Sequence, residues 1–597
     1  MKRTILWIAL IFVLPEAGFA QRTDSGVPGM IFEHNVAITM SDGAVIRANI
    51  YRPDKPGRFP VLMLMGPYGK DTRYDDAPAY KTSWARLIAK YPDLTKKSSC
   101  RYLRFEAPDP ERWVPNGYIV IHADSRGTGA SPGMLDPFSP REIEDYATLI
   151  TWAAHQPWST GKIGLLGTSY QAINQWLVAA RQPEGLAAIL PWEGAFDYYR
   201  EIAFYGGIPN NLPWKYWWDH QVVSNQNGNA ESPLVDVVSG KRSTGEVLQP
   251  DLLKQNRVSP IDAWQRNPLD GAFYKERTPD AHRIVVPVLA VGNWEDWTGI
   301  EGFTKAASKS KWLVIQTGDH LTPFYSEDAF MMQKRFFDHF LKGMKNGWER
   351  EPAVTLKIRR PDGTFFRKGS NWPLPETQWR SYYLDAGSAI MSPDKVNATP
   401  ADSSYKASGD GVTFTTPPFD NDVEITGPVM LKLWVRSTTV DMDIFATLRL
   451  IDPQGRDVTF NGNTNPRVPL DVAFLRVSHR ALDSSKSTAY QPRQSYLDPE
   501  PMVPGQLYAV EIGFNYPLGN VIGKGYKLAL TIQGKDWLYK PDANIVRSKD
   551  YELPNSQNPG LFYLEHPDRD PALFGGTNTI ATGSGHQSYI LLPFCFK

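Results

Sequence analysis

Ser169 stands at the point where a predicted strand gives way to a predicted helix. Residues 162–167 (KIGLLG) form a short apolar run, and residues 172–181 (AINQWLVAAR) are typical of a buried helix. A serine on such a turn is presented above the sheet, and the backbone N–H of Tyr170, at the helix N-terminus, can stabilise an oxyanion. Because Gln171 replaces the second glycine of the general G-x-S-x-G motif, the strand–turn–helix context carries this prediction.

A serine nucleophile needs a general base and a carboxylate that orients the base. In doubly wound hydrolases these residues follow later strands, in the order Ser, Asp or Glu, His. The two late predicted strands end in VGNWEDW, with Glu295 and Asp296, and IQTGDH, with Asp319 and His320. Of the ten histidines, His320 alone lies in a loop directly past a late strand. Glu295 and Asp296 both stay open as the acid, whereas Asp319 is expected to be a loop residue.

Metal and phosphate chemistry have little support in the sequence. No H-x-x-x-H, paired-cysteine or P-loop spacing occurs. The segment DSRGTGAS (124–131) contains G-x-G but lacks the third glycine of a dinucleotide fingerprint. We therefore expect no metal and no cofactor, and we expect Asp124 and Arg126 to brace neighbouring loops.

The elements that must position these residues alternate along the first 350 residues. A strand buried on both faces has a short continuous apolar run, and strands that alternate with helices indicate a parallel α/β sheet. The runs are PVLMLM (60–65), GYIVIHA (117–123), KIGLLG (162–167), LAAILP (186–191), VPVLAVG (286–292) and KWLVIQTG (311–318). Residues 141–156 and 326–342 have apolar residues at helical spacing.

Two insertions interrupt this alternation of strands and helices, and the residue pattern changes where the alternation ends. Residues 70–113 form a polar and aromatic excursion, and residues 197–283, rich in Trp, Asn and Pro, are interpreted as a cap over the carboxyl edge of the sheet. From about residue 351, short alternating strands separated by Pro, Gly, Asn and Asp predict an all-β sandwich.

The N-terminus resembles a targeting segment. Lys2 and Arg3 precede an apolar run from Ile5 to Leu14, and small residues follow at Gly18 and Ala20. This pattern predicts a secretory signal peptide over residues 1–20, because the apolar run is too short to cross a bilayer. We expect an exported protein, periplasmic or secreted, without a stable membrane anchor. Whether Cys100 and Cys595 form a disulfide stays open.

Composition excludes several classes of protein. The 597 residues include 64 Lys or Arg and 64 Asp or Glu, so the net charge is 64 − 64 = 0. Nucleic acid and anionic membranes favour a basic excess, so neither is expected as a partner. Two cysteines exclude a disulfide scaffold or a multi-cysteine metal site. The 19 Trp, 27 Tyr and 27 Phe must fill a core, an apolar pocket or a binding surface.

Several separated motifs together match the pattern of one family. They are PYGK (67–70), DSRGTGASPG (124–133), EDYATLITWAAHQPWSTGKIGLLGTSY (144–170), GNWED (292–296), FFDHFLKGMKNG (336–347), WPLPETQW (372–379), ITGPVMLKLWV (425–435) and LRVSHRALD (475–483). With these motifs the chain resembles the CocE/NonD hydrolases, cocaine-esterase-type enzymes related to X-prolyl dipeptidyl-peptidases and α-amino-acid ester hydrolases. The resemblance covers nearly the whole chain after residue 35.

The resemblance implies a fold and a set of site residues. It implies an α/β-hydrolase domain (21–350) with an inserted helical cap (197–283), followed by a C-terminal jelly-roll β domain (351–597). It makes Ser169 the nucleophile, Asp296 the orienting acid and His320 the base. Tyr68 of PYGK would donate its hydroxyl to the oxyanion beside the Tyr170 backbone N–H, which suits a neutral phenol donor.

The chain also departs from the family pattern at three places. Ala172 replaces a glycine three residues after the serine, and TGDH matches the usual histidine loop only in part. Trp297, Thr298 and Gly299 follow Asp296, where members that act on α-amino acyl groups have extra carboxylates. These residues argue against a site for a charged amine, although a cap residue such as Asp219 could supply the carboxylate that such a site needs.

Three functions follow as hypotheses. The first is an exported serine hydrolase that cleaves an ester or amide of a small, uncharged acyl substrate. The second is an aminopeptidase-like enzyme that releases X-Pro dipeptides, and the third is a non-catalytic binding protein that uses its jelly-roll domain. For the first, the candidates to line an acyl pocket, with core packing as the alternative for each, are Trp214, Trp217, Trp218, Trp294 and Trp297.

Overall fold

The computed structural model describes most of the chain. The described residues are 21–23, 25–295, 297–394, 400–462, 465, 467–540, 543–549 and 569–596. The predicted signal peptide (1–20) and Asp296 lie outside the described residues.

The first half of the chain contains thirteen strands in its described part. They are β1 (Gln21–Thr23), β2 (Met30–Thr39), β3 (Val45–Pro53), β4 (Phe59–Gly66), β5 (Ile119–Asp124), β6 (Ser159–Thr168), β7 (Leu186–Trp192), β8 (Phe204–Tyr205), β9 (Ile208–Pro209), β10 (Val288–Asn293), β11 (Lys311–Gln316), β12 (Val354–Arg360) and β13 (Gly363–Gly369). All six predicted apolar runs are strands.

Eleven of these strands form one twisted sheet. The pairings give the order β1-β2-β3-β5-β4-β6-β7-β10-β11-β12-β13. The strands from β5 to β12 are parallel, and the outer strands are antiparallel to their neighbours. Because parallel strands end at the same edge, the loops after β4, β6, β7, β10 and β11 share one side of the sheet, where α/β proteins place their sites.

Several helices pack against this sheet, among them the helix that directly follows β6. The described helices are α1 (Lys81–Lys90), α2 (Leu94–Lys97), α3 (Pro110–Trp113), α4 (Pro140–Ala154), α5 (Tyr170–Ala179), α6 (Asn211–Trp217), α7 (Pro250–Gln255), α8 (Pro260–Arg266), α9 (Ala272–Lys275), α10 (Ile300–Lys305), α11 (Glu327–Lys342) and α12 (Pro571–Phe574). Helices α4 and α11 confirm the two predicted helical segments. Within the described residues, no helix has the length and apolarity that crossing a bilayer would need.

The ends of α4 and α11 follow from their flanking residues. The Ser139 hydroxyl accepts the backbone N–H of Glu142, and the Ser326 hydroxyl accepts that of Ala329, so both helices begin with a side-chain cap. Helix α11 ends at Gly343, whose φ of 69° is a left-handed conformation that glycine adopts without a Cβ penalty.

Residues 197–283, called the cap segment below, lie between the neighbouring strands β7 and β10. This segment contains the small hairpin β8–β9 and the helices α6 to α9. Its indole groups reach loops at the carboxyl edge of the sheet, since Trp217 Nε1 lies 2.9 Å from the Tyr68 hydroxyl. The excursion at 70–113 contains α1, α2 and α3.

The second half of the chain is built from strands. In its described part they are β14 (Thr377–Asp385), β15 (Ile390–Ser392), β16 (Ala401–Lys406), β17 (Val412–Thr415), β18 (Val423–Gly427), β19 (Met430–Ser437), β20 (Asp443–Ile451), β21 (Asp457–Thr459), β22 (Asp471–Arg476), β23 (Tyr508–Gly513), β24 (Leu518–Ile522), β25 (Lys527–Gln533), β26 (Ile545–Arg547), β27 (Thr577–Thr582) and β28 (Tyr589–Cys595).

Two mainly antiparallel groups of these strands face one another over a shared core. One group contains β14, β28, β18, β19, β27 and β23, and the other contains β17, β25, β20 and β22. Alternate residues of β19 and β25 point into the core, among them Leu431, Leu433, Leu528 and Leu530, all fully buried. This alternation confirms the predicted β sandwich.

The two halves meet at β12. This strand pairs in parallel with β11 and also touches β24 at Arg359 and Asn520. Strands β12 and β13 therefore extend the first sheet, although the predicted boundary at residue 351 assigns them to the C-terminal domain. The residue pattern does not reveal this, because polar and apolar residues alternate in the same way in a strand at the end of a sheet and in a strand of a sandwich.

The two cysteines are not joined. Cys100 and Cys595 are both buried free thiols, and burial raises the pKa of Cys100 to about 12 and that of Cys595 to about 11. Both therefore stay protonated at neutral pH, and the pairing left open by the sequence does not form in this structure.

Candidate active site

Ser169 occupies the turn between β6 and α5, as predicted. Its φ of 61° and ψ of −120° lie in a region that non-glycine residues rarely adopt. The turn is fixed from both sides, because the Ser169 N–H donates to the Trp192 carbonyl (3.0 Å) and the Ser169 carbonyl accepts the Ala172 N–H (2.9 Å). Strained backbone held in this way is a feature of functional sites and of serine nucleophile turns in particular.

Neighbouring glycines make room for the two residues that depart from the motif. A Cβ on Gly167 would lie 2.8 Å from the Cβ of Gln171, and a Cβ on Gly194 would lie 2.5 Å from the Cβ of Ala172. The strand and loop around α5 thus supply the space that a glycine at 171 or 172 would otherwise provide. The turn forms despite both departures.

Tyr68 lies in the loop after β4, beside the Ser169 turn. Its hydroxyl accepts a hydrogen bond from Trp217 Nε1 (2.9 Å) and interacts with the Ser169 side chain. Burial, with a smaller contribution from the Glu106 carboxylate, raises the pKa of Tyr68 well above its usual value. The phenol is therefore a neutral hydrogen-bond donor at neutral pH.

The side chain of Tyr170 is held beneath the turn. Its hydroxyl lies 2.8 Å from both carboxylate oxygens of Glu142, which also accepts from the Ser125 hydroxyl (2.5 Å). Burial raises the pKa of Glu142 to about 7. This anchor fixes α5 at its first residue, whose backbone N–H is the predicted oxyanion donor.

His320 lies in the loop after β11, and a carboxylate that the sequence analysis missed contacts it. The Nδ1 atom of His320 is 2.8 Å from Oε2 of Glu193, the residue that directly follows β7. The signal was present in the sequence, because Glu193 follows a buried parallel strand just as Ser169 and Asp296 do. Glu193 was excluded because the acid was expected only after one of the two late strands.

The predicted acids have separate outcomes. Asp296 lies outside the described residues, and its role stays a prediction. Glu295 is bound by the buried Arg359, with Oε1 2.5 Å from Nη1, at the junction with the C-terminal half. Asp319 accepts the backbone N–H groups of Leu321 and Thr322 and so shapes the loop that carries His320, as expected.

A second carboxylate lies on the other side of His320. Oε1 of Glu106 is 3.5 Å from Nε2 of His320, and the backbone carbonyl of Glu106 accepts the N–H of Thr168, next to the nucleophile. Glu106 has a φ of 59° and is buried. Nothing in the sequence pointed to this residue, because it lies in the 70–113 excursion and follows no predicted strand.

Three of the five predicted tryptophans form one wall from the nucleophile turn to the histidine. The Trp217 ring stacks at 6.0 Å from Tyr170, Trp214 lies 5.0 Å from Trp217 and 6.0 Å from Trp297, and Trp297 meets the His320 ring edge-on at 6.0 Å. These distances between ring centroids describe a continuous row of aromatic side chains, in which Trp214 is buried and Trp217 and Trp297 are half-buried against the main core.

The other two predicted tryptophans pack elsewhere. Trp294 donates its N–H to the Lys357 carbonyl, lies against Trp372, and leaves no space for a Cβ at Gly519, so it belongs to the junction of the two halves. Trp218 packs with Leu135 and Val222 in a small cluster whose edge is covered by Trp217. For these two, core packing is what the structure shows.

The G-x-G segment has the bracing role that the sequence predicted. Arg126 forms ion pairs with Asp145 (2.7 Å) and Asp42 (2.9 Å). Asp124 accepts the backbone N–H groups of Lys70 and Ala130 and thereby ties the Tyr68 loop to the glycine turn.

An ion cluster joins the Tyr68 loop to β2 and to the cap segment. Nε2 of His34 lies 3.3 Å from Oδ1 of Asp71 and 3.4 Å from Oδ1 of Asp236, and Nζ of Lys70 lies 2.5 Å from Oδ2 of Asp71. Among the described residues these three His and Asp side chains are the group whose spacing would suit a metal ion. Lys70 Nζ also lies 3.4 Å from Oδ2 of Asp124, so each carboxylate of the cluster is paired with His34 or Lys70, and the cluster is explained as an ion-pair network.

The exposed position of Asp219 bears on substrate recognition. Its carboxylate pairs with Lys215 one helical turn away on the outside of the cap segment (2.6 Å), so it does not line the tryptophan wall. The cap carboxylate that the sequence analysis named for an amine is therefore not placed at this site.

Comparison with known proteins agrees with this arrangement. Residues 42–322 match the model of the X-Pro dipeptidyl-peptidase (S15) family, and residues 346–591 match the X-Pro dipeptidyl-peptidase C-terminal non-catalytic domain. The structure of a CocE/NonD family hydrolase from Staphylococcus aureus superposes with a TM-score of 0.77 and 31% identity, over 95% of this chain and 94% of that one.

More distant relatives also match over nearly the whole length of this chain. The cocaine esterase of Rhodococcus sp. is 24% identical over 94% of this chain and 98% of its own. An α-amino acid ester hydrolase, 15% identical, shares the fold with a TM-score of 0.64 over 98% of this chain. The sheet with its helices is consistent with an α/β-hydrolase fold, and these relatives make the chain a hydrolase. Within that class, this chain belongs to the CocE/NonD hydrolase family.

Proposed function

We propose that this hydrolase cleaves an ester, or an amide, of a small acyl substrate through an acyl-enzyme on Ser169. The Ser169 oxygen attacks the carbonyl carbon while its proton passes to Nε2 of His320, and the leaving group departs with that proton. Water then attacks the acyl-enzyme, gives a proton to the same nitrogen, and releases the acid and Ser169. Asp296, from the family resemblance, is the proposed orienting acid.

Tyr68 and the Tyr170 backbone N–H are the proposed oxyanion donors. The neutral phenol has one proton to give, and Trp217 already donates to the phenol oxygen, so that proton is available for a different oxygen. A preorganised donor pair of this kind stabilises the negative charge that develops on the carbonyl oxygen. The wall of Trp214, Trp217 and Trp297 is the proposed binding surface for an uncharged acyl group.

One observation carries this proposal above the others. The strained Ser169 turn, the Tyr68 hydroxyl and a carboxylate-bound histidine all stand on loops at one edge of the parallel sheet. A non-catalytic binding protein has no need of this combination, and the chain is a hydrolase.

A second activity has a specific observation in its favour. The family models are those of X-Pro dipeptidyl-peptidases, and the Glu106 carboxylate lies beside His320, where a substrate amino group would be attracted. This alternative predicts turnover of Xaa-Pro substrates that depends on the Glu106 charge.

The finer features of the architecture are also proposals. We propose an α/β-hydrolase domain over residues 21–350 with a helical cap at 197–283, and a jelly-roll domain over 351–597. The basic residues and short apolar run of residues 1–20 support export to the periplasm or the exterior. A small-molecule acyl substrate is the only proposed partner.

A substrate panel tests the reaction class. Wild type and Ser169→Ala are compared on a p-nitrophenyl acyl-ester series and on Xaa-Pro-anilides. We expect ester turnover by wild type, with the loss of about five orders of magnitude in kcat in Ser169→Ala. Equal turnover by the two proteins contradicts the serine mechanism.

The same panel separates the two activities. Anilide turnover above ester turnover would favour the dipeptidyl-peptidase, and Glu106→Gln would then raise KM for substrates with a free amino terminus. The matched control is an N-acetylated Xaa-Pro-anilide, whose KM should not respond to Glu106→Gln.

A further inference from the structure

Glu193 is the described carboxylate with the shortest contact to His320. Its Oε2 lies 2.8 Å from Nδ1 of His320, the nitrogen that faces away from the serine in a serine–histidine pair. Glu193 is fully buried, and the His320 side chain is 12% exposed. A short contact between a buried carboxylate and an imidazole nitrogen has the geometry of a charge-assisted hydrogen bond.

The backbone holds Glu193 beside the nucleophile. The Glu193 N–H donates to the carbonyl of Val291 on β10 (2.7 Å), and the preceding residue, Trp192, accepts the Ser169 N–H. Glu193 also has a φ of 48°, a left-handed conformation that a residue with a Cβ adopts only where surrounding structure imposes it. Ser169 and Glu193 therefore share one rigid corner at the ends of β6 and β7.

Because the Glu193 carboxylate is buried, its free energy depends on the group that it contacts. A carboxylate taken out of water needs hydrogen bonds or an opposite charge, and an imidazole that has accepted a proton supplies both. In the proposed reaction His320 becomes an imidazolium when it takes the proton of Ser169. The Glu193 carboxylate thus lies where positive charge appears only during the reaction.

We propose that Glu193 is a positioning residue for His320 in the proposed serine mechanism, on which this inference rests. Its carboxylate accepts the Nδ1–H, which leaves Nε2 without a proton and able to accept one from Ser169. It also stabilises the imidazolium that follows. Glu193 acts whatever Asp296 contributes, and since both carboxylates would work through one imidazole, their effects are not additive.

The primary test is the kinetics of Glu193→Gln on a p-nitrophenyl ester. The amide can donate a hydrogen bond to Nδ1 and so favour the tautomer with the proton on Nε2, which cannot act as base. We expect kcat to fall about 100- to 10,000-fold with KM changed less than about threefold. A kcat within about threefold of wild type overturns the proposal.

Two further variants separate positioning from general structural damage. Glu193→Asp, which keeps the charge, is expected to recover part of the lost kcat. Glu111→Gln is the matched control, since Glu111 is a buried carboxylate that accepts from Ser99 in the 70–113 excursion. It should leave kcat per folded molecule unchanged, and equal losses in both glutamine variants would contradict the proposal.

The pH profile gives a readout that a structural role would not move. A carboxylate beside an imidazole favours its charged form and so raises its pKa. In Glu193→Ala the acidic limb of kcat/KM should therefore move to lower pH, while the plateau falls. An acidic limb that stays in place as the plateau falls is the result that a structural role gives.

Fluorophosphonate labelling distinguishes failure of this inference from failure of the proposed function. Labelling of wild type but not of Ser169→Ala supports the serine mechanism, and slow labelling of Glu193→Gln then supports the role of Glu193. If Glu193→Gln is labelled at the wild-type rate while Ser169→Ala is not, only the Glu193 inference is overturned. If wild type is not labelled, the serine mechanism itself fails.

Discussion

Two histidines in this molecule each lie between two carboxylates, and the two arrangements differ in their use of the imidazole ring. His34 presents one nitrogen, Nε2, to both Asp71 and Asp236. His320 presents Nδ1 to Glu193 and Nε2 to the side of Glu106. The first arrangement holds a proton between two acids, whereas the second leaves the two nitrogens with separate partners.

The electrostatic consequence is clear for His34. Burial acts to lower its pKa, but hydrogen bonds and charge from Asp236 and Asp71 outweigh burial and raise the pKa to about 9. His34 is therefore a cation at neutral pH that links β2, the Tyr68 loop and the cap segment. A general base must be able to accept a proton at neutral pH, and a histidine that is already a cation cannot do so, which means that the pattern at His34 suits stability and not proton transfer.

The largest expected effect comes from replacing each of these two histidines by glutamine in turn. His320→Gln should lower kcat by about four to six orders of magnitude with little change in Tm, because it removes the proposed base. His34→Gln should lower Tm and leave kcat per folded molecule near wild type. Ester kinetics and thermal melts on both variants test these two expectations. Loss of activity in His34→Gln without loss of folding would contradict the assignment of His34 to stability.

A second prediction concerns the acids after β10. Asp296→Asn should lower kcat about a hundredfold or more, because the proposed acid would be lost. Glu295→Gln should instead lower Tm, because Glu295 pairs with the buried Arg359 at the junction of the two halves. Kinetics and melts in parallel decide the assignment, and the reverse pattern would make Glu295 the acid.

A third, smaller effect is expected at the cap segment. Trp217→Phe keeps the aromatic ring and removes the N–H that donates to the Tyr68 hydroxyl. We expect about a tenfold loss in kcat, the scale of one hydrogen bond, with KM changed little. Trp379→Phe is the control, since it also removes an indole N–H that donates a hydrogen bond, in that case to the Pro428 carbonyl in the C-terminal half. Equal effects of the two variants would argue against a link between Trp217 and the oxyanion donor.

The smallest effect is a pH dependence of stability. The pKa of His34 is about 9 in the folded protein and near 6.5 when unfolded. Its contribution to the free energy of unfolding is therefore complete below pH 6.5 and is lost as pH rises through 9. Denaturant titrations of wild type should show this decline, and those of His34→Gln should show a flatter one. Parallel declines in the two proteins would remove His34 as the cause.

The sequence predicts the architecture well where hydrophobic pattern decides it. All six apolar runs of the first half are strands, and residues such as Leu431 and Leu433 alternate into the sandwich core as expected. The boundary near residue 351 is less predictable. Strands β12 and β13 join the first sheet through hydrogen bonds with a distant strand, and local pattern does not reveal a distant partner.

The candidate site is predictable in part. Ser169 and His320 could be named because one stands on a strand–helix turn and the other ends a late strand. Glu193 could not be chosen among the carboxylates at the strand ends, because its side chain reaches His320 through a left-handed backbone conformation that sequence does not specify. Trp294 and Trp297 show the same limit, since they are three residues apart and pack on different sides of the β10 loop.

The proposed reaction passes through a covalent acyl-enzyme on Ser169, and the mass of the protein reveals whether that intermediate forms. Wild type is mixed with a slowly hydrolysed ester, quenched in acid, and analysed as intact protein and as peptides. We expect one added acyl group per chain, located on the peptide that contains Ser169 and absent from Ser169→Ala. An acyl group on another residue, or turnover of the ester with no adduct on a quenched chain, would contradict it.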